Sequence, residues 1–185
     1  YLVTHPGAHT GSGEEAGLAR VAAGLDAAHA RCPGFKLRVL LETTAGQGTS
    51  LGHRFEHLAA ILDRAACADR LGVCSDTCHV FAAGYGLADA DDYAATFEQF
   101  GDLIGLERLN LFHVNDSAKP RGSRVDRHAG IGLGEIGEAG FRRLVNDPRF
   151  ADHPMILETP GKHDDGTDML PVNLAALRRL AASPL

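Results

Sequence analysis

Five short apolar runs, each closing on a histidine or a carboxylate, recur along this chain and limit what it can fold into. They are Tyr1 to Thr4, Leu37 to Leu41, Leu71 to Cys74, Leu109 to Val114 and Met155 to Leu157. Near-continuous apolar runs of this length fit parallel strands covered on both faces. Amphipathic patterns separate them. Ser12-Gly13-Glu14-Glu15 reads as a capping box ahead of Leu18, Val21, Ala22 and Leu25, and Cys32-Pro33-Gly34 should stop that helix. Phe55, Leu58, Ala59 and Leu62 mark a second helix. Tyr93, Phe97, Phe100 and Ile104 mark a third, Phe141, Leu144 and Val145 a fourth, and Leu174, Leu177 and Leu180 a fifth. The pattern predicts five consecutive βα units in one domain spanning residues 1–185.

His5, Glu42, Asp76, His113 and Glu158 stand where the five strands end, between 34 and 45 residues apart. That interval is close to the roughly 30-residue repeat of a βα unit. In an open doubly wound sheet the outer strand ends lie far apart, whereas in a closed barrel all of them meet over one mouth. Convergence of five such side chains therefore predicts a TIM (β/α)8 barrel. A whole barrel takes about 250 residues. The expectation is an incomplete barrel of about five C-terminal units, with the N-terminal units lying ahead of Tyr1.

Asp76-Thr77-Cys78-His79 adds an imidazole on the loop leaving the third strand. Asp126-Arg127-His128 adds a carboxylate and an imidazole in a Gly-rich loop after His113-Val114-Asn115-Asp116. Four histidines and four carboxylates without a thiolate suit Zn2+ or Mn2+ rather than a structural zinc knot. Eight ligands exceed one ion, so two or three metals are expected. His53-Arg54-Phe55-Glu56-His57 matches an H-x-x-E-H pattern, but Phe55 and Leu58 mark that segment as packing helix. Cys74 and Cys78 read as small buried hydrophobes. His9, His29, His153 and His163 read as surface or loop residues.

The strings ETTAGQGTSLGHRFEHLAAI from Glu42, GVCSDTCHVFAAGY from Gly72 and FHVNDSAKPRGSRVDRH from Phe112 resemble the endonuclease IV family. HPGAH from His5 and LETP from Leu157 agree with it as well. The resemblance implies a TIM barrel carrying three zinc ions, with Mn2+ as an alternative at some sites, and a crescent of DNA-binding loops at its mouth. It implies hydrolysis of the phosphodiester 5′ to an abasic site in double-stranded DNA, leaving a 3′-hydroxyl and a 5′-deoxyribose phosphate. Glu42 would bridge two zincs, and Asp76, His113 and Glu158 would complete the second ion. His79, Asp126 and His128 would hold the third. His5 would bind the first, with a further histidine that the family carries earlier in its chain. Gly46, Gln47, Lys119, Arg121, Arg124 and Arg127 are the expected DNA contacts.

The net charge of −6 excludes a simple basic nucleic-acid binder. Four carboxylates beside three dications would nevertheless leave the mouth positive, as a phosphate substrate requires. No apolar run approaches the roughly 18 residues of a membrane span, and four cysteines are too few for a disulfide scaffold. A cytosolic setting and no obligate protein partner are expected. Two rival readings stand. A xylose isomerase-like sugar isomerase or epimerase shares the barrel and uses one or two ions, so the His79, Asp126, His128 trio separates it from a nuclease. A module that binds abasic DNA without cutting it would not need eight ligands.

Overall fold

The computed structural model describes residues 1–163 and 165–183. In chain order it contains β1 (Leu2–Thr4), α1 (Glu14–Arg31), β2 (Val39–Glu42), α2 (Phe55–Arg64), β3 (Leu71–Asp76), α3 (Thr77–Ala83) and α4 (Ala90–Leu103). These are followed by β4 (Leu109–His113), β5 (Asp116–Ser117), β6 (His128–Ala129), α5 (Gly137–Val145), β7 (Met155–Ile156) and α6 (Met169–Ala181). β1, β2, β3, β4 and β7 form one all-parallel sheet in that order, and β5 with β6 forms a small antiparallel hairpin. Successive helices pack on their neighbours: α1 on α2, α2 on α4, α4 on α5 and α5 on α6. Among the described residues no helix is long and apolar enough to cross a membrane.

The two faces of the sheet have separate cores, because strand side chains alternate. Val39, Leu41, Leu71, Val73, Leu109 and Phe112 point into the large core shared with Leu18, Phe55, Leu58, Ile61, Phe97 and Phe100 of the helices. Leu40, Cys74 and Leu111 form a smaller cluster on the opposite face, with Val3 against it. Two residues beyond each of those four stand Glu42, Asp76, His113 and His5. One apolar layer thus floors the polar mouth. The register needs one correction to achieve this. Val73 pairs with Leu109 but Cys74 pairs with Leu111, so Asn110 has no partner on β3, and Asp76 then lies opposite His113.

Several expectations change. Ser12 does not cap α1: its hydroxyl donates to the His9 carbonyl, and the helix starts from Gly13 at φ 86° with no side-chain cap. Glu14 and Glu15 bond instead to Arg54 and Arg64, tying α1 to α2. The segment read as a loop after β3 is the seven-residue helix α3, capped by the Asp76 carboxylate accepting from the His79 N–H at 2.8 Å. On α6 the buried face is set by Met169, Asn173 and Leu180, whereas Leu174 is exposed. Asn173 accepts from the Ile131 N–H and donates to Thr159, so its amide holds the loop behind β6. Phe55 stacks on Tyr85 at 4.0 Å between ring centroids, and the Tyr85 hydroxyl accepts from the first N–H of α2.

Two acids with buried carboxylates organise the rest. Asp147 accepts from the Tyr93 hydroxyl and from the Arg149 guanidinium, which lies over Phe97 and Phe150. Burial works against its charge, but the Arg149 hydrogen bonds prevail and hold the carboxyl below its usual range. Asp116 is fully buried and accepts from the N–H groups of Ser117, Gly132, Gly134, Ile136 and Gly137. Burial still pushes its carboxyl upward. This single side chain closes the loop between β6 and α5.

Asp147→Asn is expected to lose about 1–3 kcal/mol in urea unfolding at neutral pH. Because the folded carboxyl lies below its unfolded value, that difference should be full above the usual Asp pKa and vanish as pH falls through the depressed one. A Cβ on Gly134 would sit 2.3 Å from the Ser117 carbonyl oxygen and 2.6 Å from Asp116 Oδ1. Gly134→Ala should therefore destabilise by about 1–3 kcal/mol. Gly24→Ala, in open space on α1, should stabilise by about 0.5–1 kcal/mol in the same assay.

Candidate metal centre

The polar mouth gathers around Glu42, the last residue of β2, which is 5% exposed. Its Oε1 lies 2.9 Å from His113 Nδ1 and 3.4 Å from His79 Nδ1, and its Oε2 lies 3.3 Å from His5 Nε2. His113 Nδ1 is also 3.0 Å from Glu158 Oε2. Pro6 ends β1 and leaves His5 at the rim, while Glu158 stands two residues past β7. The strand-end residues expected to converge do so. Glu42, Asp76, His113 and Glu158 form one group whose donor atoms all lie within 4.8 Å of one another.

Beside it lies a second group, His79, Asp126 and His128. Asp126 places Oδ2 3.1 Å from His79 Nε2 and Oδ1 3.3 Å from His128 Nε2. The tautomers of both rings follow from their other nitrogens. His79 Nδ1 donates to the Thr43 carbonyl at 2.9 Å, and His128 Nδ1 donates to the Glu158 carbonyl at 3.0 Å. In the neutral rings both Nε2 atoms therefore carry the lone pair. His5, Glu42 and His79 also fall within ligand distance of one another. His79 Nδ1 is already committed to Thr43, so its remaining nitrogen serves the Asp126 group. Among the described residues this leaves His5 and Glu42 side by side at 3.3 Å beside the two groups.

The carboxylates at the mouth favour protons on the His5, His79 and His113 rings. Burial opposes the Glu42 charge, but the imidazoles of His113, His5 and His79 around it hold its carboxyl far below the usual range. Burial likewise opposes protonation of His79, yet the Asp126 and Glu42 carboxylates push it up to about 11. His5 is raised by its hydrogen bond to Glu42. His113 is raised as well, the Glu42 hydrogen bond overcoming burial. Cys78 lies near Asp76 and His128, but burial pushes its thiol up to about 11, and it donates to the Arg127 carbonyl. Cys74 sits in the apolar floor with its thiol also raised by burial. Neither offers a thiolate.

The donor set fits a divalent cation. Among the described residues, the buried His79 Nε2 and His128 Nε2 have no hydrogen-bond partner, although Asp126 oxygens stand within 3.3 Å of both. The donor atoms of His79, Asp126 and His128 all lie within 4.8 Å of one another, close enough to share one ion. Imidazole with carboxylate, and no thiolate, suits Zn2+ or Mn2+. A further group, Glu14, His53 and His57, has its cation built in: the Arg54 guanidinium lies 2.6 Å from Glu14 and 2.9 Å from His57 Nε2. The H-x-x-E-H string therefore makes an ion-paired junction of α1 and α2, and Glu56 takes no part in it.

The residues expected to touch DNA divide. Gly46, Gln47 and Asp126 line one cleft of about 330 Å³ with His5 at the mouth, and Gln47 Oε1 accepts from the Asp126 N–H. Arg127 donates to the Asp126 carbonyl at 2.7 Å, and Lys119 lies exposed in the turn between β5 and β6. Arg121 and Arg124 line a different cleft, of about 360 Å³, with Arg54, Tyr85 and Asp92. Arg121 is ion-paired to Asp92 and donates to the Gly84 carbonyl. Sequence reasoning missed the residues behind the ligands. Thr43 accepts from the Asp76 N–H and Thr77 bonds the backbone of Asn115. Their only signal is position: Thr43 and Thr77 directly follow Glu42 and Asp76, and Asn115 stands two residues past His113.

A family model described as xylose isomerase-like TIM barrel matches residues 1–180. The "Probable endonuclease 4" of Chloroflexus aggregans is 61% identical over 180 residues, which cover 97% of this chain and 62% of that protein. The protein of the same name from Geobacter sulfurreducens is 53% identical over 179 residues, 97% of this chain and 60% of that one. Endonuclease IV from Thermus thermophilus superposes with a TM-score of 0.80 at 38% identity, covering 98% of this chain and 61% of that one. A D-tagatose 3-epimerase-like protein superposes at 0.72 with 19% identity and shares the fold. The chain thus spans about three fifths of the length of these relatives. Its parallel strands form an incomplete barrel, and the chain belongs to the xylose isomerase-like TIM barrels and, among them, to the endonuclease IV family.

Proposed function

We propose that this chain carries most of the metal centre of a zinc-dependent endonuclease that hydrolyses the phosphodiester 5′ to an abasic site in double-stranded DNA. The observation that carries the reading is the pair of partnerless, buried Nε2 atoms of His79 and His128 around Asp126, beside the Glu42, Asp76, His113, Glu158 group. A proton shift on a sugar has no use for that additional cation position. The names of the relatives point the same way.

In this reading Glu42, Asp76, His113 and Glu158 hold one ion, and His79, Asp126 and His128 hold another. His5 and Glu42 face the third. Bound zinc supplies charge stabilisation for phosphoryl transfer and a water of lowered pKa. The protein's part is to hold the donors. Thr43 and the Glu158 carbonyl fix the His79 and His128 tautomers. Gln47 and Arg127, both bonded to the Asp126 backbone, tie the rim loops together where a phosphate would approach. Four carboxylates against three dications leave the mouth positive within a chain of net charge −6. An abasic nucleotide lacks stacking, so its extrusion costs less than the few kcal/mol of a normal one.

Grafted in place of the matching segment of the Chloroflexus aggregans relative, the chain is expected to nick a duplex bearing one tetrahydrofuran abasic analogue. The nick should fall on the 5′ side, leave a 3′-hydroxyl and disappear on prolonged chelation. Glu42→Gln should lower the rate at least about 100-fold. A zinc-loaded, folded chimera that leaves the analogue intact would overturn the reading in favour of sugar isomerisation.

Zinc must displace protons from the raised imidazoles, His79 above all, which holds its proton up to about 11. Calorimetric titration in buffers of different ionisation enthalpy should therefore report net proton release, with affinity weakening as pH falls. Proton-neutral binding would count against these ligands.

A further inference from the structure

The residue directly behind the metal ligands is Asn115, two positions past His113 and wholly buried. Its Nδ2 donates to Asp76 Oδ2 at 2.6 Å, and its Oδ1 accepts from the Glu158 N–H at 2.8 Å. Its backbone is equally committed, the N–H donating to Thr77 Oγ1 at 2.8 Å and the carbonyl accepting from the same hydroxyl at 2.6 Å. The amide has one orientation that satisfies both side-chain partners, since a carboxylate needs a donor and an N–H needs an acceptor. Asn115 therefore joins the end of β3, the end of β4 and the segment after β7 through one planar group.

Each of these bonds bears on a ligand. Asp76 Oδ1 accepts from the His79 N–H, so the Asn115 contact to Oδ2 fixes the remaining rotation of the carboxylate while each oxygen keeps a lone pair. Glu158 has an exposed side chain, and its backbone N–H on Asn115 helps keep its carboxylate 3.0 Å from His113. The Glu158 carbonyl in turn holds His128 Nδ1. A single buried amide thus reaches members of both metal groups without being a ligand of either.

We infer that Asn115 is a positioning residue that sets the Asp76 and Glu158 carboxylates for the Glu42, Asp76, His113, Glu158 ion and couples that site to His128. The inference rests on the metal reading above and names a device within it. Loss of such an outer partner typically weakens metal binding 10–100-fold.

The test is metal binding by the chain itself, followed by Zn2+ titration, native mass spectrometry and the absorption bands of the Co2+-substituted protein. Asn115→Ala is expected to keep the far-ultraviolet circular dichroism of the parent. It should bind one ion of the parent set about 10–100-fold less tightly and change the intensity of the cobalt bands. Asn115→Asp keeps an acceptor for the Glu158 N–H but faces Asp76 with an oxygen, so it should lose affinity too. If both variants match the parent in stoichiometry, affinity and cobalt spectrum, the positioning role is overturned. Should they fail to fold, Thr77→Val, which frees the Asn115 backbone and leaves both carboxylates in place, serves the same comparison. Parental cobalt bands and zinc affinity in that variant would overturn the role. A parent chain that binds no metal at all would instead overturn the metal reading.

Discussion

A carboxylate sealed from water needs positive charge or hydrogen-bond donors beside it, and at the mouth of this sheet the one ringed by imidazoles is Glu42. His5, His79 and His113 come from three different elements to face its two oxygens. Asp76, Asp126 and Glu158 crowd the same space. Four anionic groups so close repel one another unless positive charge lies among them. Protons on the imidazoles meet that need in the metal-free chain, and divalent ions meet it in the proposed enzyme. Protons and metals are thus alternative occupants of one electrostatic requirement.

The precision of the mouth comes from the layers beneath it. Val3, Leu40, Cys74 and Leu111 point to the same face as the ligands that follow them by two residues, so packing of the floor fixes the direction of the chemistry above. Behind the sheet, the aromatic cluster of Phe97, Phe112, Phe150 and His153 anchors β4 and the turn before β7. The β5–β6 hairpin carries His128 and ends the Asp126 loop, and Asp116 fixes its base through five backbone N–H groups. Stability and site geometry therefore share the same residues.

Much of this was legible from residue order. Apolar runs closed by His5, Glu42, Asp76, His113 and Glu158 declared both the strands and their convergence, because a strand end is a fixed place in a βα unit. What stayed hidden depended on contacts distant in sequence. α3 has seven residues and is buried almost all round, so no amphipathic period announced it. Ser12 met the capping pattern, yet the positive φ of Gly13 turned it toward His9 instead. Arg121 and Arg124 stand near Asp126 in sequence, but their loop doubles back onto α3, where the Gly122 and Arg124 N–H groups donate to the Phe81 and Ala82 carbonyls. Asn115 and Asp116 are single polar residues without periodicity, and only the fold discloses what they hold.

The unpaired Asn110 has a consequence of its own. Leu109 faces the helices and Leu111 faces the floor, a change of face over two residues that only the extra residue permits. Gly72 makes room for it, since any Cβ there would lie 1.9 Å from Asn110 Oδ1. A β4 one residue shorter would face a choice of phase. It could keep Leu109 in step with β3 and turn His113 toward the helices, or keep His113 in the mouth and turn Leu109 out of the core. Counting, as much as chemistry, assigns the imidazole to its side of the sheet, and Gly72 leaves the space that the extra Asn110 fills.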